Sequence, residues 1–133
     1  MILFVDASAV VAMMSKEPDA LELADRIGQA SRLLWSPIVK WEAAVALSRL
    51  QKYATVHSAR SDVFAFGQEY EIELMTIGED ESEIAFEAFR LYGKRSGHAA
   101  RLNMGDCFAY ACARANNARL LYKGDDFSKT DLA

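Results

Sequence analysis

The chain has 133 residues, 52% of them hydrophobic and 26% charged, with a net charge of −4. That is the size and composition of one soluble globular domain with a real core, and it argues against a disordered chain. The acidic balance argues against indiscriminate binding to nucleic acid, although a local cluster of lysines and arginines would still support it.

The first element is the apolar run Ile2–Val5, which reads as a buried strand closed by Asp6. No basic lead-in precedes it and no apolar stretch approaches the ~20 residues of a membrane span. The expectation is a cytoplasmic protein without signal peptide or membrane contact. Residues 7–15 read as a helix, and 19–30 as a second one with Leu23 and Ile27 on one side. Arg32–Trp35 is the next strand. Ser36-Pro37 then supplies an N-cap and a first-turn proline for a helix carrying Val39, Trp41, Ala43 to Leu47 and Leu50.

Residues 56–70 form an amphipathic helix with Val63, Phe64 and Phe66. Residues 73–77 read as a strand, and 80–94 as a helix with Ile84, Ala85, Ala88 and Leu91 inward. A basic loop with Lys94, Arg95, His98 and Arg101 leads to a helix over 105–116, and 119–122 is the last strand. Strands alternating with helices imply an α/β fold, a small parallel sheet flanked by helices. Cys107 and Cys112, five apart on one helix, read as reduced core thiols.

Four acidic signals stand where apolar elements begin or end: Asp6, Glu42, Asp106 and the pair Asp125-Asp126. Each alone has a plain explanation. Asp is a favoured N-cap, an acid in a first turn complements the helix dipole, and a Glu is most often at a helix edge. Together they matter more, because ligands bind at the carboxyl ends of the strands in parallel α/β sheets. Carboxylates gathered there repel one another unless a cation neutralises them, and oxygen-only ligands suit Mg²⁺ or Mn²⁺. Phosphodiester hydrolysis gives such a group a purpose. His57 and His98 are the only histidines, and neither a G-x-S-x-G element nor a glycine-rich phosphate loop is present.

The order Val5-Asp6-Ala7-Ser8, then Trp41-Glu42, then Leu102-Asn103-Met104-Gly105-Asp106-Cys107-Phe108-Ala109-Tyr110-Ala111 resembles the PIN-domain ribonucleases. The closing Leu120-Leu121-Tyr122-Lys123-Gly124-Asp125-Asp126-Phe127 is similar to the VapC-type toxins of toxin–antitoxin pairs. The resemblance covers essentially the whole chain, 1–133, as a single PIN-like α/β/α sandwich. It implies a Mg²⁺-dependent endoribonuclease, with Mn²⁺ a substitute, that uses water and leaves a 5′-phosphate and a 3′-hydroxyl. It further implies Asp6 and Asp106 as metal ligands, Glu42 as the acid that completes the pocket, a homodimer, and a cognate antitoxin that silences the site. The family position for the fourth acid falls on Gly124, so the assignment moves to Asp125, with Asp126 next.

Ser8, Arg95 and Arg101 are candidate RNA contacts, although the basic loop reads equally as a solvated helix end. Tyr110, Phe108 and Trp41 lie in apolar helical settings that favour core packing over base stacking. The Phe64, Phe66 and Tyr70 surface is a candidate dimer contact that core burial explains equally well. A receiver module is disfavoured, since Asp6 follows Val5 and residues 74–77 end without an aspartate. A non-catalytic RNA- or partner-binding module of the same fold is the remaining alternative.

Overall fold

A computed structural model describes residues 1–50 and 53–132. Its centre is β1 (Ile2–Val5), hydrogen-bonded in parallel to β2 (Arg32–Trp35) on one side and to β4 (Arg119–Leu121) on the other. The register pairs Phe4 with Leu34 and with Leu120. Leu3, Phe4, Val5, Leu34, Trp35 and Leu121 are all buried. These strands are continuous apolar runs without alternation, as a parallel sheet covered on both faces requires.

The edge strand β3 (Glu73–Leu74) is shorter than the expected 73–77. It meets only the last two residues of β2, Leu34 and Trp35, and Met75 adds one bond to the Trp35 carbonyl before the chain leaves the sheet. Both of its residues are exposed, so nothing beyond that short partner holds the segment extended.

Six helices flank the sheet among the described residues. They are α1 (Ala7–Met14), α2 (Ala20–Gln29), α3 (Pro37–Arg49), α4 (Val56–Glu69), α5 (Glu79–Tyr92) and α6 (Met104–Ala115). Their starts follow local chemistry. Asp6 caps α1 through the Ser8 N–H, Ser36 caps α3 before Pro37, and capping boxes open α4 (Thr55 with Ser58) and α6 (Asn103 with Asp106). α5 packs along α6 and α3 along α4.

Some expected inward residues face out. Phe64 of α4, Leu91 of α5 and Trp41 of α3 are exposed, Trp41 by 65%. Each helix buries its small or branched residues instead: Ala59 and Val63, Ala85 and Ala88, Ala43 and Ala44. Phe66 is buried against Trp35 and Tyr70, which leaves Phe64 as the exposed ring of that surface. Cys107 and Cys112 are free and buried, their thiols pushed up to about 11 and about 12 by burial. No helix among the described residues is long and apolar enough to cross a membrane.

The strand order is β3-β2-β1-β4. The chain moves from β1 outward through β2 and β3, then returns to the far side of β1 as β4. The reversal between β1 and β4 is a topological switch point, the place where an open parallel sheet leaves a crevice at its carboxyl end.

Candidate active site

Asp6 leaves β1 at that crevice, and the segment after β4 closes it. The Asp6 N–H donates to the Leu121 carbonyl at 2.9 Å, continuing the ladder by one bond. One carboxylate oxygen of Asp6, Oδ2, accepts from the Ser8 N–H (3.0 Å) and the Ser8 hydroxyl (2.6 Å). The same hydroxyl accepts from the Lys123 N–H at 2.9 Å, so Ser8 ties the β1 and β4 ends together and sets the rotamer of Asp6. Ser8 is thus hydrogen-bonded to Asp6 and also lines the cavity.

Asp106 arrives from the first turn of α6. Its Oδ2 accepts the Asn103 N–H (3.1 Å) while the Asn103 side chain accepts the Asp106 N–H (2.8 Å). Both aspartates therefore act as caps, as the plain explanation of each had it, and each spends only one oxygen on the task. The Ala7 N–H adds a further backbone bond to the Asp6 carboxylate. Asp6 and Asp106 are 6% and 8% exposed.

Glu42 comes from the middle of α3 and lines the same open cavity of about 550 Å³ as Asp6, Ser8 and Asp106. It reaches there over Gly105, where any Cβ would collide with its carboxylate. Asp126 also lines this cavity, and its charge bears on both Asp6 and Asp106. Asp125 does not line it. Gly124, at φ +93°, turns the chain after Lys123, and the Asp125 carbonyl then accepts the Ser128 N–H and hydroxyl in a tight turn. Buried Phe127 anchors that turn, leaving Asp126 as the acid on the cavity side. Of the two candidates for the fourth acid, Asp126 lines the cavity and Asp125 does not.

The electrostatics are those of an uncompensated acidic bowl. Burial raises Asp6, opposed by its Ser8 bonds and aided by Asp126. Glu42 is pushed up to about 7 by burial, then by Asp6 and Asp106. Asp106 is pushed up to about 6 by burial and by Asp126 and Asp6, against the Asn103 bond and the Lys94 charge. None of the three has a salt bridge among the described residues. Lys123 lines the cavity but is turned to Glu17 (2.7 Å) and Asp19 (3.5 Å).

The basic residues near the acids differ from those expected. Arg95 and Arg101 are exposed and line neither this cavity nor its rim, whereas Arg49 at the end of α3 lines it and Lys94 acts on Asp106. Gly93 and Leu102 form a parallel bridge that pins Lys94 just before the α6 cap. His98 is a loop hydrogen-bonder: its Nδ1 accepts the Ala100 N–H and its ring stands edge-on to Tyr92. Arg49 and Gly105 had no signal of their own. Gly105 was legible only as a glycine placed in a helix against propensity, one residue before an acid.

The model of the PIN domain matches residues 3–132. The chain belongs to the PIN-domain family. Within it the relatives are of the VapC type. One is a VapC ribonuclease of Rhizobium meliloti (strain 1021), 42% identical with 97% of this chain and 98% of the relative covered. Another is ribonuclease VapC42 of Mycobacterium tuberculosis, 32% identical with 98% and 96% covered. Among solved structures, the sarcin–ricin loop-cleaving toxin VapC20 of Mycobacterium tuberculosis shares the fold at a TM-score of 0.74 and 18% identity, with 98% of this chain and 96% of that one covered. The parallel sheet with its flanking helices is the PIN α/β/α fold.

The acidic bowl suits a hard divalent cation. Among the described residues no group of three or more His, Cys, Asp or Glu side chains is placed to hold a metal ion. Mg²⁺ does not need one, because it keeps several waters and is held through one or two carboxylates. Asp6 and Asp106, each oriented through Oδ2 and lining the same cavity, are the carboxylates that would hold such an ion.

Proposed function

We propose that this chain is the toxin of a toxin–antitoxin pair, a Mg²⁺-dependent endoribonuclease that hydrolyses RNA with water and is silenced by a cognate antitoxin. The observation that carries the reading is the convergence of Asp6, Glu42 and Asp106, from three separate elements, on one cavity where their charges oppose one another and none forms a salt bridge among the described residues. The VapC ribonucleases to which the chain is similar support the substrate and the toxin assignment. A structure of similar fold, a toxin–antitoxin complex from Klebsiella pneumoniae (TM-score 0.69), supports the antitoxin.

Each residue has a stated task. Asp6 and Asp106 hold the cation, Mg²⁺ or Mn²⁺, and Ser8 and Asn103 fix their orientation. Bound there, a divalent ion would supply charge neutralisation and acidify water. Glu42, half-buried and poised near neutrality, accepts the proton of the attacking water. Asp126 at the open rim adds negative charge to the bowl, and Arg49 and Lys94 hold the phosphates of the incoming strand. The whole chain acts as one domain, and the exposed Phe86, Phe89 and Met104 on α5 and α6 support a homodimer.

The test is cleavage of an RNA panel with Mg²⁺, with EDTA, and with Asp6→Asn and Asp106→Asn. Loss of cleavage in EDTA and in both variants is expected, with circular dichroism unchanged. Cleavage that survives EDTA overturns the metal mechanism. Normal growth on abundant expression without antitoxin overturns the toxin assignment.

A further inference from the structure

A second cavity, of about 410 Å³, runs between α3 and α4 and meets the acidic bowl at Trp41 and Val45, which line both. Its character is the opposite of the bowl's. None of the described residues lining it is acidic, in a chain with 19 acids against 15 lysines and arginines. Its charged groups are Lys40 of α3 and Arg60 of α4, joined by His57, and neither cation forms a salt bridge among the described residues. Its apolar surface is aromatic and exposed: Trp41 is 65% and Phe64 52% accessible, and the Lys40 ammonium sits 5.5 Å from the Phe64 ring centroid.

An apolar groove that presents unpaired cations beside open aromatic faces matches one ligand chemistry well. Unpaired bases stack on such faces whatever their sequence, and cations follow the sugar–phosphate backbone. The position is as telling as the composition. Trp41 immediately precedes Glu42 on α3, so a strand whose base rests on the indole has its neighbouring phosphate at the mouth of the acidic bowl.

Resting on the ribonuclease reading, we propose that the α3–α4 groove is the single-strand subsite of the enzyme, with an unpaired base stacked on Trp41 and the flanking backbone held by Lys40 and Arg60. Trp41 selects flexible, single-stranded RNA over duplex, whose bases are not free to stack on it.

The experiment measures Kd by fluorescence anisotropy for a short labelled single-stranded RNA, the same strand with abasic positions, and a duplex, using protein with Asp106→Asn to stop turnover. Trp41→Leu should weaken the intact single strand roughly tenfold, the scale of one base–aromatic stack, and leave the abasic strand unaffected. Trp41→Phe should recover most of the loss. Arg60→Gln should weaken intact and abasic strands alike and flatten the salt dependence. Trp41→Leu with unchanged Kd for the intact strand, in protein that still cleaves RNA without the Asp106 change, overturns the groove proposal alone. So does an effect of Trp41→Leu on self-association or antitoxin affinity with none on RNA. A chain that neither binds nor cleaves any RNA removes the ribonuclease reading itself, and this inference with it.

Discussion

The Glu42 carboxylate rests over the bare Cα of Gly105, so closely that no side chain fits between α3 and the first turn of α6 at that point. The contact sets how far Glu42 projects toward Asp6 and Asp106, the two charges that act on it. A glycine inside a helix ordinarily costs up to about 1 kcal/mol against alanine. Here that cost is exchanged for the position of an acid. Gly105→Ala should therefore leave the melting temperature within a few degrees of the parent, since the far end of a glutamate yields easily. Cleavage should fall by about 10²-fold, as expected when a reacting group is misplaced by roughly 1 Å. Steady-state kinetics beside thermal melts checks both, and full activity would show that Glu42 does not need this seat.

Ser8 carries two loads through one hydroxyl, donating to Asp6 and accepting from the Lys123 N–H. Ser8→Ala removes the orientation of a proposed metal ligand and strips a partly buried N–H of its partner. Partners that orient ligands are worth 10–100-fold in metal affinity, and an orphaned N–H costs about 1–3 kcal/mol. The variant should need roughly tenfold more Mg²⁺ for half-maximal cleavage and melt several degrees lower. Titration of activity against Mg²⁺ separates the two effects, because saturating metal restores rate without restoring stability.

The raised carboxylates make a signed prediction about pH in the metal-free protein. Glu42, at about 7, and Asp106, at about 6, both lie above their ordinary values of 4.5 and 3.8. A carboxyl raised in the folded state stabilises the fold below its unfolded value, and that contribution is lost as pH rises through the folded value. Metal-free protein should thus lose stability between about pH 4 and pH 7, by on the order of 2 kcal/mol after allowance for solvent screening. Asp131 works with the other sign. Hydrogen bonds from Tyr110 and Tyr92 and the Arg114 charge hold it low against its burial, so its contribution disappears only below pH 4. Melting curves in EDTA should peak near pH 4, and Mg²⁺ should raise the melting temperature more at pH 8 than at pH 5. A flat profile from about pH 4 to 7 would mean that the three acids do not oppose one another.

Much of this architecture was legible because it depends on local patterns. Apolar runs without alternation mark strands covered on both faces, and Asp6 and Asp106 announce themselves by standing at the joints. The misplacements have a common cause, in that they turn on rotation about an axis that pattern alone does not set. α3 carries apolar residues on more than one side, so Trp41 had no sequence mark separating it from the buried Val39 and Ala43. Residues 76–77 have strand composition, but β2 ends at Trp35, whose carbonyl is already taken by the Met75 N–H. Arg95 and Arg101 are near Asp106 along the chain, yet they lie in the loop spanned by the Gly93–Leu102 bridge and do not line the cavity.

Asp125 and Asp126 show the same limit at its smallest scale. The two are identical in chemistry and adjacent in sequence, and only the backbone after β4 tells them apart. Gly124 in the left-handed region starts the turn, Asp125 spends its carbonyl on Ser128, and Asp126 alone lines the cavity with its charge felt at Asp6 and Asp106. Asp125→Asn should leave cleavage within about twofold of the parent, as expected of an exposed surface change. Asp126→Asn should weaken Mg²⁺ binding about tenfold, the scale on which residues around a metal site tune it. It should also lower the pH at which Asp106 ionises in metal-free protein, since one of the charges raising that group is gone. Carboxyl-carbon NMR titration of the two variants, read beside Mg²⁺-dependent cleavage, decides between them. A larger loss from Asp125→Asn than from Asp126→Asn would return the fourth acid to the position that sequence adjacency first suggested.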